Sequence, residues 1–294
     1  MPSTVSAPSL FLLTPPYSAL RPVTGGRPQL KREGRLPGSA LVWQMAAGIR
    51  EQDVSVVTRR PGGLALVALL PPSAHLPSEE ALAKLVAAVR PHTLLPAHPD
   101  PRPDELTWAL RRPPEDLGVE VTEYLTWRGL SIDRDTARLI RRTLDASAEL
   151  RSISGLSRSL YLSRRALGRR FMSRGLPVPS HWLHLGRLLR VAIRLQNSDE
   201  SVLSVGYELG YPDGFSVSNQ MMRLVGCRPS EARECLGWEW ILEAWLRREA
   251  DTGGLAPELT TGILGGAEPW AASPPAPPSR VAPGRRDDRR RVAG

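Results

Sequence analysis

A chain of 294 residues, 41% of them hydrophobic, is long enough for two domains with their own buried cores and too apolar to be disordered throughout. Its net charge of +9 and pI near 10.4 favour an anionic partner: nucleic acid, an acidic protein or an anionic membrane surface. Cys227 and Cys235 lack the paired spacing of a zinc site or disulfide framework, and no segment approaches the roughly 18 apolar residues of a membrane span. The start, MPSTVSAPSLFLLTPP, has no basic region and only a very short apolar run, so a soluble cytoplasmic protein with no membrane partner is expected. Lys31 and Lys84 are the only lysines; arginine carries nearly all the positive charge, and it suits bidentate phosphate and guanine contacts.

In chain order, Pro22 to Gly38 is dominated by proline, glycine and basic residues and reads as a loop, so 1–38 is expected to be an irregular N-terminal segment. From Ser39 to Leu95 the pattern predicts a helix (SALVWQMAAGIRE), a strand (DVSVVT), an apolar strand (LALVALL), a helix (SEEALAKLVAAV) and a short strand (HTLL). That alternation predicts a small α/β domain over 39–112, interrupted near its end by HPDPRPDE. A linker is expected over 113–132. From about Asp133 the apolar spacing is helical, predicting an all-α domain over 133–250. Residues 251–294, rich in Gly, Ala and Pro, are expected to be a disordered tail.

No repeat of fixed period is visible, but the helical half contains two helix-turn-helix patterns. The first, Ser152 to Gly175, has Leu156, Leu160 and Leu162 on its inner side and Ser163 placed to cap a second helix. In that helix Leu167 and Phe171 face the core, so Arg165 and Arg169, also four apart, share a face that points away from it. A solvated basic surface is the alternative for that pair. The second pattern, Ser201 to Gly226, is built on Val202, Val205 and Leu209, with Gly206 for close helix approach, Gly210 in the turn and Asp213 as cap. Val217, Met221, Leu224 and Val225 form its buried stripe and leave Phe215, Ser218, Asn219, Met222 and Arg223 outward or marginal. Asn and Arg make bidentate contacts to adenine and guanine edges, and an exposed Phe packs on a thymine methyl. Between the patterns, a connector helix capped by Ser180 is expected to run to about Gln196, apolar on more than one side.

The segment from about Ser152 to Arg233 resembles the DNA-binding domain of the AraC family of bacterial transcription regulators. The likeness is carried by LYLSRRALGRRF, by ELGYPDGFSVSNQMMRLVGCRPSEAR, and by the Gly-x-x-Pro-x-x-x-Arg pattern at Gly226, Pro229 and Arg233. It implies two helix-turn-helix subdomains joined by a long helix, so the expected fold is an α/β N-terminal domain followed by an all-α C-terminal domain of that design. The resemblance puts base-facing positions at Arg165, Gly168 and Arg169 in the first recognition helix and at Gly214, Phe215, Ser218 and Asn219 in the second. Ser163, Arg164 and Arg223 complete the candidate DNA-binding set. Tyr161 stands where the family usually has a turn glycine, and Val217 and Met221 replace two usual aromatic residues.

Roughly twice as many arginines as acidic residues fall within this segment, as phosphate binding requires. The following ECLGWEWILEAWLRREA is an amphipathic helix expected to pack back on the DNA-binding domain, a dimer surface being the alternative. For the N-terminal module three readings stay open: a degenerate receiver-like fold, a small-molecule sensor or a dimerisation unit. A receiver's strand-end acids are missing, and Asp53 lies at the wrong end of its expected strand. His181 and His184 have a metal-compatible spacing that more often reflects packing. With no phosphate loop, nucleophile elbow or ligand cluster in the sequence, no cofactor, metal or catalytic residue is assigned. The expected function is sequence-specific transcription regulation, with double-stranded DNA as partner and RNA polymerase, a homodimer mate and an unidentified small-molecule effector as further candidates. The alternatives are an enzyme or sensor activity in the α/β domain and a protein-interaction role for the helix-turn-helix units.

Overall fold

A computed structural model describes residues 8–45, 49–96, 98, 100–130 and 132–259. The N-terminal half is a five-stranded mixed sheet built from β1 (Leu10–Leu13), β2 (Leu20–Pro22), β3 (Ala40–Gln44), β4 (Ala65–Leu69) and β5 (Thr93–Leu95), in the order β2-β1-β3-β4-β5. β1 is antiparallel to both of its neighbours, whereas β3, β4 and β5 are parallel. The order is that of a flavodoxin-like doubly wound sheet, but the β1–β2 hairpin makes the sheet mixed rather than parallel. β4 is buried along its whole length and β3 over all but Gln44; both read as unbroken apolar runs because both sheet faces are covered. On one face Leu12, Leu41, Trp43 and Leu66 meet Leu30 of α1 (Gly26–Glu33), Val57 of α2 (Glu51–Thr58) and Val89 of α3 (Glu79–Val89). On the other, Leu13, Val42 and Val67 meet Leu106 and Leu110 of α4 (Pro103–Arg111), together with Leu236 from far along the chain.

Several sequence expectations are corrected here. ALVWQ is a strand, not part of a helix, because β1 and β4 pair with it on both sides. DVSVVT lies in helix α2, where Asp53 and Val57, four apart, turn inward and two acids occupy the first turn. Asp53 is therefore on no strand at all; it accepts hydrogen bonds from Ser9 and Arg50 at 2.7 and 2.9 Å. The segment 1–38 contributes two strands, the interior β1 and the edge β2, and helix α1 where an irregular stretch is expected.

The helical half begins earlier than expected. α5 (Leu117–Trp127) occupies most of the segment read as linker, with its N-terminus capped by Asp116 and Val121, Tyr124 and Leu125 buried. It packs on α6 (Arg134–Ala146). α7 (Ile153–Ser159), α8 (Arg164–Met172), α10 (Val202–Glu208), α11 (Gly214–Val225) and α12 (Pro229–Glu234) surround α9 (Pro179–Asn197), whose 19 residues span about 28 Å at 1.5 Å per residue. Pro179 opens α9 at a position where a missing N–H costs nothing, and Ser180 is inside the helix rather than its cap. Last comes α13 (Glu239–Asp251), which packs back on α9 and α11; its Trp245 meets Trp182 edge to face at 4.7 Å between centroids. The chain stays packed past α13, for Leu255 is buried and Ala256 N–H donates to the Gly175 carbonyl at 2.8 Å. The rest of the expected tail, from residue 260 on, lies outside the described residues.

The two halves are locked together through α13 and its approach. Glu243, 1% exposed, takes a bidentate contact from Arg128 of α5 (2.9 and 3.1 Å) and the hydroxyl hydrogen of Tyr124 (3.0 Å), which in turn accepts the Gly63 N–H ahead of β4. A side chain at Gly62 would overlap the Glu243 carboxylate and Arg128, so this corner closes only around glycine. Tyr17, after β1, accepts the Leu236 N–H and donates to the Gly38 carbonyl. Among the described residues no helix is long and apolar enough to cross a membrane.

Candidate nucleic-acid interface

The helix pairs α7–α8 and α10–α11 are built alike. Ser163 accepts the Ala166 N–H at the start of α8, and Asp213 accepts the Ser216 N–H at the start of α11, so each second helix has the cap its sequence promised. The fourth and eighth positions are buried in both: Leu167 and Phe171 in α8, Val217 and Met221 in α11. The turn before each cap passes through the left-handed region, at Tyr161 (φ 54°) in the first pair and Gly210 (φ 79°) in the second. Tyr161 thus shares the left-handed conformation of Gly210, with its ring 95% exposed. At Gly206 of α10 a Cβ would stand 2.9 Å from Val217, which is the close approach expected there.

With the fourth and eighth positions turned inward, the second and sixth point away from the core, and the first and fifth flank the buried stripe. In α8 these are Arg164, Arg165, Gly168 and Arg169; the three arginines are exposed. In α11 they are Gly214, Phe215, Ser218 and Asn219, of which Phe215 and Asn219 are exposed and the two small residues are partly covered. Arg223, four residues beyond Asn219, is exposed as well. Among the described residues no carboxylate is ion-paired with Arg164, Arg165, Arg169 or Arg223, so their guanidinium groups are available to an external acceptor. A Cβ at Gly168 would meet nothing within 4 Å, and one at Gly214 would make only ordinary contacts with Leu203. Neither glycine is required by the packing of the free protein. Ser218 donates its hydroxyl hydrogen to the Gly214 carbonyl at 3.0 Å, and Ser163 is engaged as a cap.

The surrounding framework explains the Gly-x-x-Pro-x-x-x-Arg pattern. Gly226 closes α11 in the left-handed conformation (φ 75°), Pro229 is the first residue of α12, and Arg233 donates to the carbonyls of Ser198 and Glu200, tying α12 to the bend between α9 and α10. Arg187 is a framework residue that the sequence reading passes over. Almost buried in α9, it donates to the Leu150 carbonyl at 2.9 Å and lies over the ring of Tyr211 at 5.5 Å, joining the approach to α7 with the turn of the second pair. Its signal was an arginine inside the apolar run LGRLLRVAI. His181 faces Glu249 of α13 at 2.9 Å, and burial, followed by the positive Arg187 and Arg223, lowers the pKa of His184.

Residues 156–234, a little over a quarter of the chain, match a protein family described as "Helix-turn-helix domain". No curated protein and no solved structure matches the chain. The matched segment runs from within α7 to the end of α12 and contains both helix pairs and α9 between them. It supports a DNA-binding helix-turn-helix domain in this part of the protein.

Proposed function

We propose that the protein is a sequence-specific transcription regulator of the AraC type, in which α8 and α11 are recognition helices of two subdomains joined by α9. One observation carries this reading: the same helix positions point away from the core in α8 and α11, each behind a side-chain cap, and in α8 they hold arginines without internal carboxylate partners. Recognition helices enter the major groove with their N-terminal residues on base edges, which is where Arg165 and Arg169 stand in α8 and Phe215 and Asn219 in α11. The remaining arginines and the helix N-termini would contact phosphates and fix register. RNA polymerase, a second copy and a small-molecule effector are the further partners proposed for such a cytoplasmic regulator. A cleft of about 1060 Å³ between α3, β5 and α5, lined by Arg90, His92, Glu120 and Trp127, is where an effector would touch both halves.

Electrophoretic shift of genomic fragments by the full chain tests the reading. Binding should concentrate on particular fragments and weaken steeply as salt rises, because releasing condensed counterions then gains less free energy. Arg165→Ala or Arg169→Ala should cost about 1 to 3 kcal/mol on the preferred fragment and relax the preference at one base position. Equal, salt-insensitive affinity for every fragment, or no binding at low salt, would overturn it.

A further inference from the structure

The two outward faces have the same geometry and opposite chemistry. From Ile153 to Met172 the first pair carries Arg158, Arg164, Arg165, Arg169 and Arg170 and no acidic residue. From Val202 to Val225 the second pair carries one arginine, Arg223, against Glu208 and Asp213. What it exposes instead is apolar: Phe215 at 74%, Tyr207 at 58%, and Leu203 and Met222 at somewhat less. Position by position, Arg165 and Arg169 of α8 become Phe215 and Asn219 of α11, the second and sixth residues of each helix.

Resting on the DNA reading above, we infer that the protein recognises a composite site: a guanine-containing element held by α8 through charge, and an A·T element read by α11 through Phe215 and Asn219. An arginine pairs bidentately with guanine O6 and N7, an asparagine with adenine N6 and N7, and an aromatic ring with the thymine methyl. Phe215 and Asn219 lie one turn apart on one face, so the methyl contact and the amide contact fall on the same or adjacent base pairs. Arg223, a further turn along α11, stands away from the N-terminal end that meets base edges and has the reach of a phosphate ligand. The face of α11 is poor in charge, so it adds specificity with little counterion release. The salt dependence of binding then belongs mainly to α8. A protein partner could also cover an apolar face, but Asn219 in its middle matches an adenine edge and repeats the position of Arg169.

The test uses the full chain and sites selected from a randomised duplex pool, then resynthesised with deoxyuridine in place of thymidine. The selected site should contain a guanine element whose preference is lost in Arg165→Ala and a separate A·T element whose preference is lost in Asn219→Ala. Removing a contacted thymine methyl should weaken wild-type binding about fourfold, the worth of one buried carbon. Phe215→Ala, whose side chain is exposed and not needed for the core, should bind thymidine and deoxyuridine sites equally and keep the wild-type salt slope; Arg164→Ala, which removes a phosphate-facing arginine of α8, should flatten it. Specific binding that ignores deoxyuridine, or that is unchanged in Phe215→Ala, overturns the inference alone and assigns the face to a protein. Absence of any specific duplex binding overturns the DNA reading beneath it.

Discussion

His92, just ahead of β5, and Glu239, the first residue of α13, meet Nδ1 to Oε1 at 2.8 Å with both side chains nearly fully buried. Burial by itself disfavours the imidazolium, but the charge of Glu239 and its hydrogen bond outweigh burial and hold the His92 pKa above its ordinary 6.5. Desolvation pushes Glu239 upward, yet His92, with Arg90 4.0 Å away, brings it down to about 2. A raised histidine stabilises the fold fully below 6.5 and loses that contribution as pH rises through its folded-state value. A depressed carboxylate stabilises above 4.5 and loses its contribution as pH falls towards 2. Urea midpoints should therefore be highest between these limits and decline on the alkaline side. His92→Gln should lower the midpoint and abolish that alkaline decline; an unchanged profile above pH 6.5 would refute the assignment.

The Glu243 corner should respond as a buried pair does when one member is removed. Glu243→Met removes the buried carboxylate shared by Arg128, Arg247 and the Tyr124 hydroxyl and should cost about 3 to 5 kcal/mol in equilibrium unfolding. The double change Glu243→Met with Arg128→Met removes the carboxylate together with its bidentate partner, leaving Arg247, and should recover part of that loss. Additive losses in the double variant would mean that the two side chains do not act as a pair.

Gly168 gives a prediction with opposite signs for stability and binding. It sits at the middle of α8 with open space where a Cβ would be, so Gly168→Ala should raise stability by up to about 1 kcal/mol through helix propensity. If α8 lies close against a groove wall, the added methyl should reduce DNA affinity about tenfold, or 1.4 kcal/mol. Thermal melts and shift titrations on one preparation read both effects. Equal affinity for both proteins would mean that α8 does not approach DNA closely at this point.

Tyr161 holds a left-handed backbone with its ring in solvent, so it meets the cost of that conformation with no packing in return. Tyr161→Gly should stabilise the chain by about 1 kcal/mol or leave it unchanged, since glycine also gains freedom in the unfolded chain. A clear loss of stability would reveal a role for the ring in the turn.

The helical half was largely legible because its signals are local. The caps at Ser163 and Asp213, the i, i+4 spacing of Leu167 with Phe171 and of Val217 with Met221, and the left-handed glycines at Gly210 and Gly226 lie within a few residues of what they control. The sheet half was not, because its strands are decided by distant neighbours: ALVWQ is short and apolar, equally suited to a helix, until β1 and β4 flank it. LGVEVTEYLTW alternates like a strand at Val119 and Val121 while spacing Leu117, Val121 and Leu125 like a helix; Asp116 and the surface of α6 decide for the helix. Spacing alone names Arg165 and Arg169 of α8 and Phe215, Ser218, Asn219, Met222 and Arg223 of α11; Gly168 and Gly214 come from the family resemblance. The apolar run around Arg187 marks a buried arginine but not its partner, and the pairing of Glu239 with His92 and of Glu243 with Arg128 and Tyr124 leaves no local trace, because those groups are more than thirty residues apart.

α13 also limits how this protein can be recombined. Its tryptophans complete the core around α9, while its carboxylates at Glu239 and Glu243 take charge partners, His92, Arg90 and Arg128, and the Tyr124 hydroxyl from earlier in the chain. A gene fusion that grafted the helix-turn-helix segment together with α13 onto a foreign sensor would keep Arg247 beside Glu243 but strip Glu243 of Arg128 and Glu239 of His92 and Arg90. The interchangeable unit is therefore larger than the helix-turn-helix segment: a working chimera must bring α5 and the histidine ahead of β5 along, or trade both glutamates for apolar side chains.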